Sequence, residues 1–439
     1  MSRLLCICAS FPPEVTPTAI RTGKLLNYLR EDWQIQVITC VPNGKLTGVQ
    51  VHPVLSWYPK ALIDLFHQLR LNKLLEWLIW PDVQIFWAIP AFLRARSLMR
   101  TLRPTALVVF MMPYSSGLVG IGLKWLTGLP LVLNLDDSPT CSDMHPVFPS
   151  RLHYYLAHWL EDFYVRQADA IVYVSQFNRD TVRARQPEAQ QQKFHLVRYG
   201  ADPIDSIHPQ TPPPDDFSIV YIGGMSGWHA FQTATGSWLR KLYRAWMELG
   251  NYHVLPMDYR SSSPAFLGQA IKLVEQETPD WRGKIHLRVY GNQYPQAVVD
   301  RLLHTQQIAD VVTISGPVPN TQALQLAAGA DLLFLTLPAR LDGSAGGRIS
   351  AKTYEYLMTP CPILAAVPRG ENWDYLKDKP GVWLVEPTDV FAMAQVLTQL
   401  AQAKKTGAPL TFDRSPLFGE LSYAKRAGEF AHVLQQISR

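Results

Sequence analysis

Short apolar or β-branched runs alternate with amphipathic stretches from one end of the chain to the other, and this alternation restricts it to a parallel α/β architecture. The runs fall near 3–9, 35–39, 106–111, 131–135, 170–174 and 193–198 in the first half. In the second half they fall near 218–222, 285–290, 311–315, 331–337, 362–366 and 382–385. Helical patterns at 18–30, 150–167, 296–306, 321–328 and 389–403 separate most of them. Right-handed crossovers then predict one Rossmann-like, doubly wound domain per half. Pro203, Pro209, Pro212, Pro213 and Pro214 with Asp215-Asp216 make residues 203–216 a stiff polar linker. The expected organisation is an N-terminal domain over 1–205, a C-terminal domain over 206–418 and a closing segment, 419–439, whose helix packs back on the first domain. Two such domains facing each other across a cleft bind ligands at the carboxyl ends of their strands.

Composition narrows the function classes. Hydrophobic residues form 47% and charged residues 18% of the 439 residues, the opposite of a disordered chain. A formal charge of +5 is too weak to argue for nucleic acid, though it suits an anionic surface or substrate. Cys6, Cys8, Cys40, Cys141 and Cys361 are odd in number and scattered, without metal-ligand spacing, and read as reduced thiols of a cytoplasmic protein. Cys6 and Cys8 alternate with apolar neighbours and are expected in the core. No structural metal or obligatory cofactor is expected. The apolar run of the first ten residues is short and lacks a cleavage site, so a first strand is predicted rather than a secretion signal. Thr105–Leu123 is uncharged and long, but Pro113 and Ser115-Ser116-Gly117 divide it into strand, turn and helix.

The most informative stretch runs from Asp331 to Met358: a buried strand to Leu337, a loop with Gly343-Ser344-Ala345-Gly346-Gly347-Arg348, then a helix. Helix-terminal N–H groups behind flexible glycines form an anion site, and Arg348 and Lys352 add positive charge. Lys352 and Glu355, three apart, project from one helical face. A cation for a diphosphate and a carboxylate for ribose hydroxyls is what a sugar nucleotide requires. On spacing alone, a surface Lys–Glu pair behind a loop fits equally.

The run Ser350-Ala351-Lys352-Thr353-Tyr354-Glu355-Tyr356-Leu357, followed by Pro362-Ile363-Leu364-Ala365, resembles the donor-site signature of glycosyltransferase family 4. Further resemblances follow in order. They are Ser10-Phe11-Pro12-Pro13-Glu14 with Arg21; Gly128-Leu129-Pro130 with Asp136-Asp137-Ser138-Pro139; Glu161, Ala168-Asp169 and Val174-Ser175; and Tyr259-Arg260-Ser261. The sequence departs from the family pattern at Gly347, where many members carry a glutamate, and at Thr16-Pro17-Thr18, where paired glycines are common. It also departs at Tyr199-Gly200, usually Asn-Gly, and in an inserted segment, 229–257.

The resemblance implies a GT-B fold and a retaining hexosyltransferase that moves a sugar from a nucleotide diphosphate to a glycan or lipid-linked acceptor in polysaccharide or glycolipid synthesis. It implies no obligatory metal or enzymic nucleophile. Lys352 and Arg260 would clamp the departing diphosphate, with Arg348 third. Glu355 would hold ribose or a sugar hydroxyl, and Ser350, Gly346 and Gly347 would border the donor. Asp137 is the candidate base, with Asp136, Glu14 and Arg21 on the acceptor side; Asp136-Asp137 equally suit a helix cap. Two other readings stand beside this one, a catalytically silent scaffold or regulatory partner and a sugar-nucleotide epimerase. Trp238, Leu242, Trp246 and Leu249 share one face of the insertion, and Trp77, Trp80 and Trp87 accompany Arg94, Arg96 and Arg100 in the first domain. Such helices either cover their own sheets, mediate a homodimer or rest on the inner face of a membrane as a peripheral contact.

Overall fold

Along β1 (Ser2–Cys8), alternate side chains enter two different cores. Leu5 and Ile7 join a cluster with the helices Ile85–Leu102, Ser116–Thr127 and Arg151–Gln167, whereas Leu4, Cys6 and Cys8 join one with Pro17–Leu29 and Tyr423–Ile437. A strand covered on both faces reads as a continuous apolar run, which is why its signal is strong in the sequence. Cys6 and Cys8 are core residues, as their alternation predicts.

The structure, a computed structural model, describes residues 2–202, 215–224 and 238–437. The prolines of the expected linker and residues 229–237 of the expected insertion lie outside the described residues. The chain divides into two units: Met1–Gly200 with Gly236–Leu255 and Tyr423–Arg439, and Ala201–Thr235 with Pro256–Ser422.

In the first unit β1 pairs with β2 (Trp33–Thr39) and β4 (Ala106–Phe110); β3 (Gln50–Pro53), β5 (Leu131–Leu135), β7 (Ala170–Tyr173) and β8 (Phe194–Leu196) extend the sheet. The order is β3-β2-β1-β4-β5-β7-β8, parallel throughout. The uncharged stretch at 105–123 is β4, a turn and a helix, and no helix among the described residues is long and apolar enough to cross a membrane.

The second unit's sheet consists of β9 (Phe217–Ile222), β12 (Ile285–Tyr290), β13 (Val312–Ser315), β14 (Leu332–Thr336), β16 (Ile363–Ala366) and β17 (Val382–Val385). Its order, β13-β12-β9-β14-β16-β17, reverses between β9 and β14. That reversal opens a crevice at the carboxyl ends of these two strands, the standard ligand position of such sheets.

Two details differ from the sequence reading. Residues Gly236–Leu255 belong to the first unit, not to the domain whose sequence they interrupt. The helix Trp238–Glu248 meets Asn72–Leu78 there, with Asn72 donating to the Tyr243 hydroxyl at 2.6 Å. β10 (Tyr252–His253) pairs with β6 (Val147–Phe148). The closing helix is two, Ser415–Leu421 and Tyr423–Ile437, and the second stacks Phe430 on Phe110 at 6.4 Å.

Candidate functional site

At the switch point of the second sheet, β9 ends in Ile222-Gly223-Gly224. Gly223 has φ +129° and packs backbone to backbone on Gly291, which follows β12 with φ +123°. A Cβ on Gly223 would lie 2.8 Å from the Lys352 ammonium, so only glycine lets that side chain approach. Lys352 also sits 5.1 Å from the ring centroid of Tyr221, the cation over the aromatic face. Its helix, Ala351–Leu357, is fastened here by the Tyr356 hydroxyl, which accepts the Ile222 N–H at 3.0 Å. On the opposite side Thr353 donates to Asn372 at 2.9 Å, and Tyr354 stacks obliquely on Tyr375.

Among the described residues, neither the Lys352 nor the Glu355 side chain has a hydrogen-bond or ion-pair partner. The two do not bridge each other among the described contacts. Glu355 is half-buried, and its desolvation pushes the carboxyl above the usual carboxylate range, partly opposed by the Lys352 charge. A cation and an acceptor thus lie in one crevice, their side chains without hydrogen-bond or ion-pair partners among the described residues. The helix has only seven residues, so Lys352 carries most of the positive potential rather than a helix dipole.

The other donor-side residues fall in the same region with different roles. Ser350 is the buried N-cap residue of the helix, but its hydroxyl makes no capping bond. Gly346, expected to let the backbone reach a donor, is used within the chain. Its N–H donates to Arg369, its carbonyl accepts from Glu371, and a Cβ on Gly370 would lie 2.3 Å from that carbonyl. Gly347 is buried beside it and Arg348 is half-buried. Arg260 is exposed on the turn Tyr259–Ser262. β11 (Met257–Asp258) pairs with β15 (Ala339–Arg340), and Ala339 N–H donates to Ser261 at 2.8 Å. These bonds fasten the Arg260 turn to the chain leaving β14.

In the first unit the carboxyl end of the sheet gathers Glu14, Arg21, Asp136 and Asp137. Arg21, expected on the acceptor side, is instead 1% exposed. It contacts Asp136 at 3.3 Å and donates to the Val197 carbonyl at 3.0 Å. Thr18 and Tyr199 also donate to Asp136, at 2.7 and 2.9 Å. Asp136 thus ties the first helix and Tyr199 to the end of β5. Two of the four departures from the family pattern find a use here. Thr16 caps the first helix by accepting the Ala19 N–H at 3.1 Å, Pro17 begins it, and Thr18 and Tyr199 bind Asp136. Asp137 is half-buried and accepts from Ser142 at 2.6 Å, bracing its own loop. Glu14 accepts from Ser10 at 2.9 Å in an exposed turn. Glu161 is fully enclosed by Ser138, Thr140, Tyr173 and Arg185 and holds the loop after Asp137 from below.

Tyr221 and Gly223 carry no mark in the sequence reading, and Tyr356 stands in the quoted signature without a role. The paired glycines after a strand were the available signal for Gly223. Among the described residues no group of three or more His, Cys, Asp or Glu side chains could hold a metal ion.

The sheets and strand orders of both units are those of the GT-B class. Within the first unit, residues 20–200 match the model of the glycosyl transferase 4-like domain. Alpha-maltose-1-phosphate synthase of Mycolicibacterium smegmatis is 30% identical over 123 residues, 27% of this chain and 30% of that relative's length. Sucrose-phosphate synthase from Thermosynechococcus elongatus aligns with a TM-score of 0.65 at 13% identity over 99% of each chain. HepE of Anabaena, solved in complex with UDP-glucose, aligns with 0.62 at 13% identity over 99% of this chain and 100% of that one. At such identities the structural likeness establishes the fold.

Proposed function

We propose that the chain is a retaining glycosyltransferase that takes a sugar from a nucleotide-diphosphate donor and delivers it to a glycan or lipid-linked acceptor. The observation that carries this reading is the unpartnered Lys352 beside the unpartnered, half-buried Glu355 at the switch point of the second sheet. Negative charge grows on the diphosphate as the glycosidic bond breaks, and a fixed cation in a partly dry crevice stabilises that charge more than water does. Lys352 is assigned this role, with Arg260 and Arg348 as further cations. Glu355 accepts hydrogen bonds from ribose or sugar hydroxyls. Ser350 and Gly347 border the donor, and Asp137 faces the acceptor as the candidate base. HepE, with the same fold, was solved with UDP-glucose, which supports a nucleotide sugar as donor here.

The test is a calorimetric screen of UDP-, GDP- and ADP-sugars, repeated on Lys352→Ala and Glu355→Ala. One nucleotide is expected to bind, with a loss of about tenfold or more in each variant, the scale of a charge-assisted hydrogen bond. Undiminished binding in both variants removes the donor-site assignment. Absence of any nucleotide binding favours the silent-scaffold reading, which has Gly347 in place of a glutamate and the internal use of Gly346 on its side.

We also infer a peripheral position on an anionic membrane surface. The helix Trp238–Glu248 buries none of its residues, leaves Trp238 and Leu242 more than half exposed, and carries Arg240, Lys241 and Arg244. Flotation with phosphatidylglycerol vesicles, with and without Trp238→Ser and Leu242→Ser, tests this; equal flotation of both forms would sink it.

A further inference from the structure

Four aromatic rings in the first unit form a connected series that ends at a cavity. Trp125 meets Phe163 edge-on at 6.0 Å, Phe163 stacks on Trp159 at 5.6 Å, and Trp159 lies 6.5 Å from Trp80. Trp125 is 66% and Trp159 55% exposed, unusual for rings of this size. Trp80 lines a cavity of about 230 Å³ together with Ile79, Val147, Phe148, Ala157 and Leu160.

Several polar groups on that lining already hold partners. Asp82 accepts from the Ser115 N–H and hydroxyl and from the Gln84 N–H. His153 is bound by Ser150 and the Trp77 carbonyl, Glu76 by Lys73, and the Tyr114 hydroxyl donates to the Asp137 carbonyl. His145 Nε2 alone is buried without a partner. A pyranose would bring several hydroxyls, and a wall this rich in apolar side chains offers them few partners, each hydroxyl left unpaired being costly to bury. A hydrocarbon brings none. A cavity of about 150 Å³ holds a benzene ring, so this one has room for roughly eight methylenes.

We propose that this cavity receives the hydrocarbon tail of an amphiphilic acceptor, which reaches it along the Trp125–Phe163–Trp159–Trp80 series. The proposal rests on the glycosyltransferase reading and narrows its acceptor to a lipid-linked class. The loop carrying Asp137 joins the cavity wall through Tyr114, so a seated tail would present its polar head near the candidate base.

The test is calorimetry of the full chain with alkyl β-glucosides from methyl to decyl, below their micelle concentrations. Affinity is expected to rise about fourfold per methylene, the value of burying one, and to level off near eight carbons. Ala157→Leu, which fills the cavity, should bring that plateau forward by about three carbons. Trp159→Ala, at an exposed ring, should weaken octyl glucoside several-fold at an unchanged melting temperature. Nucleotide binding should be untouched in both variants. Equal affinity for methyl and octyl glucoside, or an unchanged chain-length series in both variants, would overturn the proposal. Failure of the wild-type chain to bind any nucleotide while the series holds would instead remove the transferase reading and leave the apolar site standing.

Discussion

The Lys352 ammonium rests 5.1 Å from the centre of the Tyr221 ring, in space that exists because residue 223 has no side chain. Gly223→Ala would place a methyl 2.8 Å from that ammonium and force an L-residue to φ +129°. The lysine, as the flexible partner, must move. The expected result is a tenfold or greater loss of nucleotide affinity, with a strain cost of about 1–3 kcal/mol in thermal unfolding. Affinity unchanged in a folded variant would mean that the position of Lys352 is immaterial.

Glu355 sets a pH dependence with a definite sign. Its folded-state pKa is raised by burial, so the folded state holds the proton more tightly than the unfolded one. Its contribution to stability is full below the ordinary glutamate range and is lost as pH rises through the raised value. Glu355→Gln should therefore raise the melting temperature at pH 7 by about 2 °C, on the scale of 1 kcal/mol or less, and by nothing near pH 4. Donor binding should follow the opposite course, weakening in the wild type as the carboxylate takes up a proton.

Arg21 and Asp136 form an ion pair with little access to water. Removing one partner leaves a buried charge uncompensated, so Asp136→Asn should cost about 3–5 kcal/mol in urea unfolding. The double change Arg21→Met with Asp136→Leu should recover much of that loss. A single variant as stable as wild type would show that water reaches the pair.

Burial pushes the Cys6 thiol up to about 12 and those of Cys40 and Cys361 to about 11. Only thiolate reacts at an appreciable rate, so iodoacetamide at pH 8 should leave these three unmodified until urea is added. Mass spectrometry of tryptic peptides reads the result directly.

How much of this was legible beforehand follows from the range of each interaction. The buried parallel strands and the Lys352–Glu355 spacing are local patterns, and the sequence carries them plainly. The two-residue ladders β6–β10 and β11–β15 are too short for any period. The Arg21–Asp136 pair joins residues 115 positions apart, and nothing local in either marks the other. Thr18 and Tyr199 read as departures from a pattern until their shared carboxylate is in place. The helix Trp238–Glu248 has a strong amphipathic signal, but amphipathicity does not say which unit it meets.

The helix Tyr423–Ile437 packs on Pro17–Leu29, which was made some 400 residues earlier. On a ribosome adding about 5–20 residues per second, the apolar face of the first helix waits roughly 20–80 s for its cover. During that time the Phe110 and Leu26 surface is open to wrong partners. The first unit, though begun first, is completed only after the second, so its folding in the cell depends on whatever shields that face until Tyr423–Ile437 has been made.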